Sequence, residues 1–137
     1  MSRRSKISER MEAFSIAQVT GTVLIWYIIA IAGSRLLTMV IAPGISIETS
    51  IYHFHHVLWG LILMTIGGFI GLYWESRRAE VFGAFFLGVG LGLAVDEVGL
   101  ILVTSDAGYW DPISYPIMVI VAQLLFIAFM AARQQGR

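Results

Sequence analysis

Apolar residues run along this chain in four long blocks, over 14–41, 51–74, 81–102 and 113–132. A bilayer core about 30 Å thick is crossed by roughly 20 mostly apolar residues in helix, so each block predicts one spanning helix. Polar or turn-forming residues mark the joints: Pro43-Gly44, the run Glu75-Ser76-Arg77-Arg78, and Ser105-Asp106-Ala107-Gly108. Asp111-Pro112 and Ser114 supply capping oxygens and a helix-compatible proline where the fourth helix should start. Short connections make successive helices antiparallel neighbours, so the expected fold is all-α, a four-helix transmembrane bundle of up-down topology.

Basic residues set the expected orientation. Of nine Lys and Arg, Arg3, Arg4, Lys6 and Arg10 precede the first span. Arg77 and Arg78 separate the second from the third, and Arg133 and Arg137 follow the fourth. With both termini cytoplasmic, all of these lie on one side and only Arg35 falls within a span. Residues 1–13 then form a cytoplasmic tail, 14–132 the membrane domain and 133–137 a second tail. The opposite rim carries Glu48, Asp106, Asp111, Tyr109 and Trp110. A basic start and Ala30-Ile31-Ala32 loosely follow a cleavable signal peptide, but apolar character continues to Ile41, which favours a retained helix.

Composition agrees with this pattern and narrows the chemistry. The 137 residues are 58% hydrophobic and 13% charged, with zero formal net charge and a mean hydropathy of +0.80. A soluble surface needs about twice that charged share. The absence of cysteine removes disulfides and thiolate ligands, and the lack of a basic run removes nucleic acid as a partner. Membrane lipids are the expected surroundings, in the cell membrane of a multi-pass protein. A homo-oligomer or a larger membrane complex would bury further surface.

Small residues predict where helices touch, because glycine permits close backbone approach in lipid. His53, His56, Gly60, Met64, Gly67 and Gly71 share a stripe of the second span. Gly88, Gly92, Asp96 and Gly99 share one on the third, and Ala17, Gly21, Ala32 and Arg35 one on the first. The run Gly88-Val89-Gly90-Leu91-Gly92 lacks the Lys-Ser/Thr of a phosphate loop and reads as a packing surface.

Ionisable side chains within a membrane are costly and usually functional. Six lie in the spans: Arg35, His53, His55, His56, Asp96 and Glu97. At 1.5 Å per residue all fall within about 12 Å of the outer ends of their helices. Arg35 at about 10 Å depth is expected to pair with Asp96 or Glu97. Those two differ by about 100° around their helix, so one can meet the histidines while the other meets Arg35. His53 and His56, three residues apart, share a face, whereas regular helix turns His55 away.

Imidazole and carboxylate together suit a divalent metal, so His53, His55, His56, Asp96 and Glu97 are the candidate ligands for zinc, iron or manganese. Such a site could activate water for chemistry on a lipid or small apolar substrate at the outer leaflet. Other readings are a buried hydrogen-bonded network and a proton relay. At the level of the whole protein the alternatives are a non-catalytic subunit of a membrane complex, or a metal or proton transporter acting as an oligomer. The helical zinc-protease pattern H-E-x-x-H is absent. A bis-histidine haem is disfavoured because all three histidines lie within four residues, and nothing sets Ser50 or Ser105 beside a histidine.

The His53-x-His55-His56 motif, Gly60 on the same helix, the glycine-rich span ending in Asp96-Glu97 and the following Tyr109-Trp110 resemble a group of small prokaryotic integral membrane proteins. The resemblance covers about 52–112. It implies the four-helix architecture and a shared polar site and carries no activity. Helix one and Arg35 lie outside it.

Overall fold

A computed structural model describes residues 3–41, 56–74, 76–98 and 114–135, with side chains in the first segment described at 16–37, 39 and 40. The described residues form four helices: α1 Arg3–Ile41, α2 His56–Tyr73, α3 Arg77–Asp96 and α4 Ser114–Gln135. All four are long and apolar enough to cross a membrane, and the described residues form no strand. The fold class is therefore the all-helical one that the hydropathy blocks require, and its four helices have the length and composition of a multi-pass membrane protein.

The helices do not begin and end where the apolar blocks do. Helix α1 begins at Arg3, so residues 3–13 of the expected tail are helical; no glycine or proline interrupts the sequence before Gly21. At 39 residues it is about 58 Å long, well beyond the hydrocarbon core. Helix α3 starts at Arg77, four residues earlier than its apolar block. Ser76 explains this, because its hydroxyl accepts the Ala79 N–H at 3.2 Å as an N-cap. Glu80 in the first turn also suits the positive end of the helix dipole. With α3 ending at Asp96, the two carboxylates sit at a helix end and not in its interior.

The helices line up in the order α2, α3, α1, α4, with a slight contact between α3 and α4. Glycine sets the spacing on both sides of α3. A Cβ on Gly90 would lie 2.5 Å from the Gly60 carbonyl oxygen, and one on Gly60 2.6 Å from that of Gly90. Neither fits, so the α2–α3 backbones touch directly. On the other side a Cβ on Gly88 would lie 2.6 Å from the Val23 oxygen, and one on Gly92 2.8 Å from the Tyr27 oxygen. These contacts make α1 and α3 run in the same sense, with α2 opposed to α3.

At their described positions the predicted stripes of α2 and α3 are contact faces, with Gly88 and Gly92 turned toward α1; His53 and Gly99 lie outside the described residues. The α1 stripe needs correction: Ala32 is exposed, and Ala30 faces Gly92. A stripe extrapolated from Ala17 drifts around the helix over four turns, whereas the real face follows Val23, Tyr27 and Ala30. Tyr27, Val95 and Met118 form a small core between α1, α3 and α4. The Tyr27 hydroxyl donates to the Met118 carbonyl at 2.8 Å, which keeps its polar end satisfied inside an apolar layer.

Candidate functional site at the end of α3

Asp96 and Glu97 face opposite neighbours, and each answers an electrostatic need at a helix end. Asp96, 1% exposed, faces α1. Arg35 Nε donates to Asp96 Oδ1, and Arg35 Nη2 donates to the Asp96 carbonyl oxygen at 3.2 Å. The guanidinium thus neutralises the side chain and also caps a carbonyl at the negative end of the α3 dipole. The Ser34 hydroxyl lies 2.8 Å from Asp96 Oδ2 and 3.0 Å from the Ile31 carbonyl oxygen, so its single proton serves one acceptor at a time. Across the guanidinium, the Tyr115 ring centroid is 5.3 Å from Arg35 Cζ, within cation–π range. The expected Arg35 pairing is present, with Asp96 as the partner.

Glu97, 5% exposed, follows the last residue of α3 and faces the start of α2. Its Oε2 accepts the Val57 N–H at 2.9 Å. That N–H belongs to the first turn of α2, where backbone donors lack intrahelical acceptors. A carboxylate from a neighbouring helix therefore caps α2 and meets the positive end of its dipole. The other oxygen, Oε1, lies 3.2 Å from His56 Nδ1. This contact is close in distance but off-line: His56 Nδ1 is a buried atom that finds no hydrogen-bond partner among the described residues. The His56 side chain as a whole is 43% exposed, so the ring reaches from the protein toward the surroundings.

The structure thus places His56 with Glu97, and Asp96 with Arg35 and Ser34. His53 and His55 lie outside the described residues. Among the described residues no group of three His, Cys, Asp or Glu stands together. Ser34 and the capping role of Glu97 were not singled out in the sequence. The signal for Ser34 was its place beside Arg35 at the same depth; the signal for the cap was an acid at the level where α2 must begin. At the far end of the molecule Arg77 donates to Gln18 Oε1 at 2.7 Å, tying the start of α3 to α1. No family model, curated protein or solved structure matches the chain.

Proposed function

We propose that this protein resides in the cell membrane with both termini cytoplasmic and binds a divalent metal ion at the His56–Glu97 end, near the outer leaflet. The observation that carries the reading is the 3.2 Å approach of His56 Nδ1 to Glu97 Oε1 without hydrogen-bond alignment. Two ligand atoms held at about 2.0–2.2 Å by one ion stand roughly 3–3.5 Å apart. An orphaned imidazole nitrogen at that separation from a carboxylate oxygen suits a shared cation better than a direct bond. His53 and His55, immediately upstream, extend the donor set in nitrogen, which favours zinc, iron or manganese. Asp96 is the least available ligand, since Arg35 and Ser34 engage its two oxygens. A bound metal would supply Lewis acidity, and with it hydrolytic or oxidative chemistry on a lipid or small apolar substrate. The resemblance to small prokaryotic membrane proteins with H-x-H-H and D-E motifs remains part of this proposal.

A structural reading has its own support in the Val57 cap, which gives Glu97 work without any ion. Elemental analysis of the purified protein separates the two. Metal should be present in the parent and lost in His56→Ala and Glu97→Gln, since each variant removes a ligand atom. An impermeant chelator added outside right-side-out vesicles should strip it. Metal-free parent protein purified from medium rich in all three metals would overturn the reading, as would full retention in a His56→Ala/Glu97→Gln double variant. Metal protected from the external chelator but stripped on permeabilisation would reverse the orientation.

A further inference from the structure

Polar side chains inside an apolar span have few routes to satisfaction. Hydroxyls find one within their own helix: Thr20 donates to the Ile16 carbonyl at 2.7 Å, Thr22 to Gln18 at 2.8 Å and Thr65 to Leu61 at 2.8 Å. A carboxamide has two N–H donors and a carbonyl acceptor, and a neighbouring helical carbonyl cannot satisfy all of them.

Gln123 has this problem. It lies nine residues past the start of the 22-residue helix α4, about 14 Å from that end and beyond reach of either headgroup layer. Its side chain is exposed, and among the described residues nothing hydrogen-bonds to it. The residues three and four positions away on the same face are apolar and exposed: Val119 at 53%, Ile120 at 54%, Phe126 at 52% and Ile127 at 62%. The opposite face, with Met118, Ala122 and Leu125, packs around Tyr27. So α4 presents to the surroundings a regular apolar face with one unmet carboxamide at its centre. Lipid tails can cover the apolar rows, but they cannot bond the amide.

We propose that a second copy of this chain docks on that face, the two Gln123 carboxamides pairing across a two-fold axis normal to the membrane. The chemistry favours a like partner. A carboxamide is self-complementary, each giving an N–H to the other's carbonyl oxygen, and a two-fold axis sets a residue opposite itself. The face carries no charge that would demand an opposite charge on a different protein. Its flanking rows offer each copy side chains matching its own. The proposal is independent of the metal site, which lies at the end of α3.

The test exploits the lack of native cysteine. The full chain, purified and diluted into lipid vesicles, is oxidised as single-cysteine variants. Ile120→Cys and Ile127→Cys should cross-link to dimers, whereas Leu125→Cys, facing α1, and Ile66→Cys, on the outer side of α2, should not. Gln123→Leu should weaken association about threefold to thirtyfold in a dilution series followed by energy transfer, the range known for interhelical polar contacts. Gln123→Asn should keep part of it. Gln123 is exposed, so folding of the variants can be confirmed by an unchanged melting temperature. A monomeric parent at all dilutions would overturn the proposal, and Gln123-dependent co-purification with another membrane protein would then assign the face to that protein. Equal association of Gln123→Leu, or cross-linking through Ile66→Cys alone, would overturn it as well.

Discussion

Asp96 and Glu97 are adjacent in sequence, both buried and chemically alike, yet they meet different fates. Asp96 turns toward α1 and receives aligned bonds from a guanidinium and a hydroxyl. Glu97 turns toward α2, where the Val57 N–H bonds it in line and the His56 imidazole lies near but off-line. A step of about 100° around the helix end accounts for the divergence. The comparison teaches that a polar cluster in a membrane can hold two jobs at once. The Asp96 side fastens α3 to α1, and the Glu97 side, with its near but unaligned imidazole, is where the proposed ion would bind.

The largest effect that could break this contrast is at Arg35. Removing one partner of a buried ion pair typically costs about 3–5 kcal/mol, because the other charge is left without compensation. Arg35→Leu strands Asp96, whose side chain is fully enclosed, so the melting temperature in detergent should fall sharply. Arg35→Lys should recover only part of the loss, since an ammonium cannot span both Asp96 Oδ1 and the backbone oxygen as the guanidinium fork does. An unchanged melting temperature for Arg35→Leu would show that Asp96 does not depend on the pair and would dissolve the distinction between the two carboxylates.

A smaller effect sharpens the α2 side. Gly90→Val puts a side chain where Gly60 and Met64 already stand, and overpacking of this kind costs about 1–3 kcal/mol. Gly68 on α2 is the control, because nothing lies within 4 Å of the site a Cβ would take. Gly68→Val should leave thermal stability nearly unchanged. If both variants melt alike, the close approach of α2 and α3 contributes little, and Glu97 must hold the start of α2 by itself.

Much of this arrangement is legible in the sequence. Four spans follow from hydropathy because the bilayer imposes a length, and Arg35 had to find an acid because a lone guanidinium at its depth is too costly. Which acid it finds was not legible: with 100° between them, either carboxylate fits until the rotation of α3 is known. That rotation is set by Gly88 and Gly92 against Val23 and Tyr27, a match of two surfaces that neither helix specifies alone. The Glu97 cap escaped for a similar reason. N-caps are read from residues just before a helix, and this one comes from a different helix forty positions away. Helix ends were hidden by the same logic, since Ser76 lets polar residues join α3 where hydropathy sees a joint.

The smallest effect expected is also the most discriminating, because it separates the two roles assigned to Glu97. In Glu97→Gln the amide oxygen can still accept the Val57 N–H, and only the charge at the start of α2 is lost. Charge at a helix terminus is worth about 0.3–1 kcal/mol, so stability should drop by no more than that. Glu97→Leu removes the acceptor and leaves a half-buried donor unmet, a loss toward the lower end of about 1–3 kcal/mol. Stability should therefore rank parent, then Gln, then Leu. Metal content should follow a different order, with Gln and Leu equally depleted, because a neutral amide is a poor substitute for a carboxylate beside an imidazole. If metal instead declines in step with stability, and Gln retains most of it, the ion depends on the fold of the α2 terminus and Glu97 is a cap alone. If both variants melt like the parent, the cap is dispensable and α2 is anchored by its glycine face.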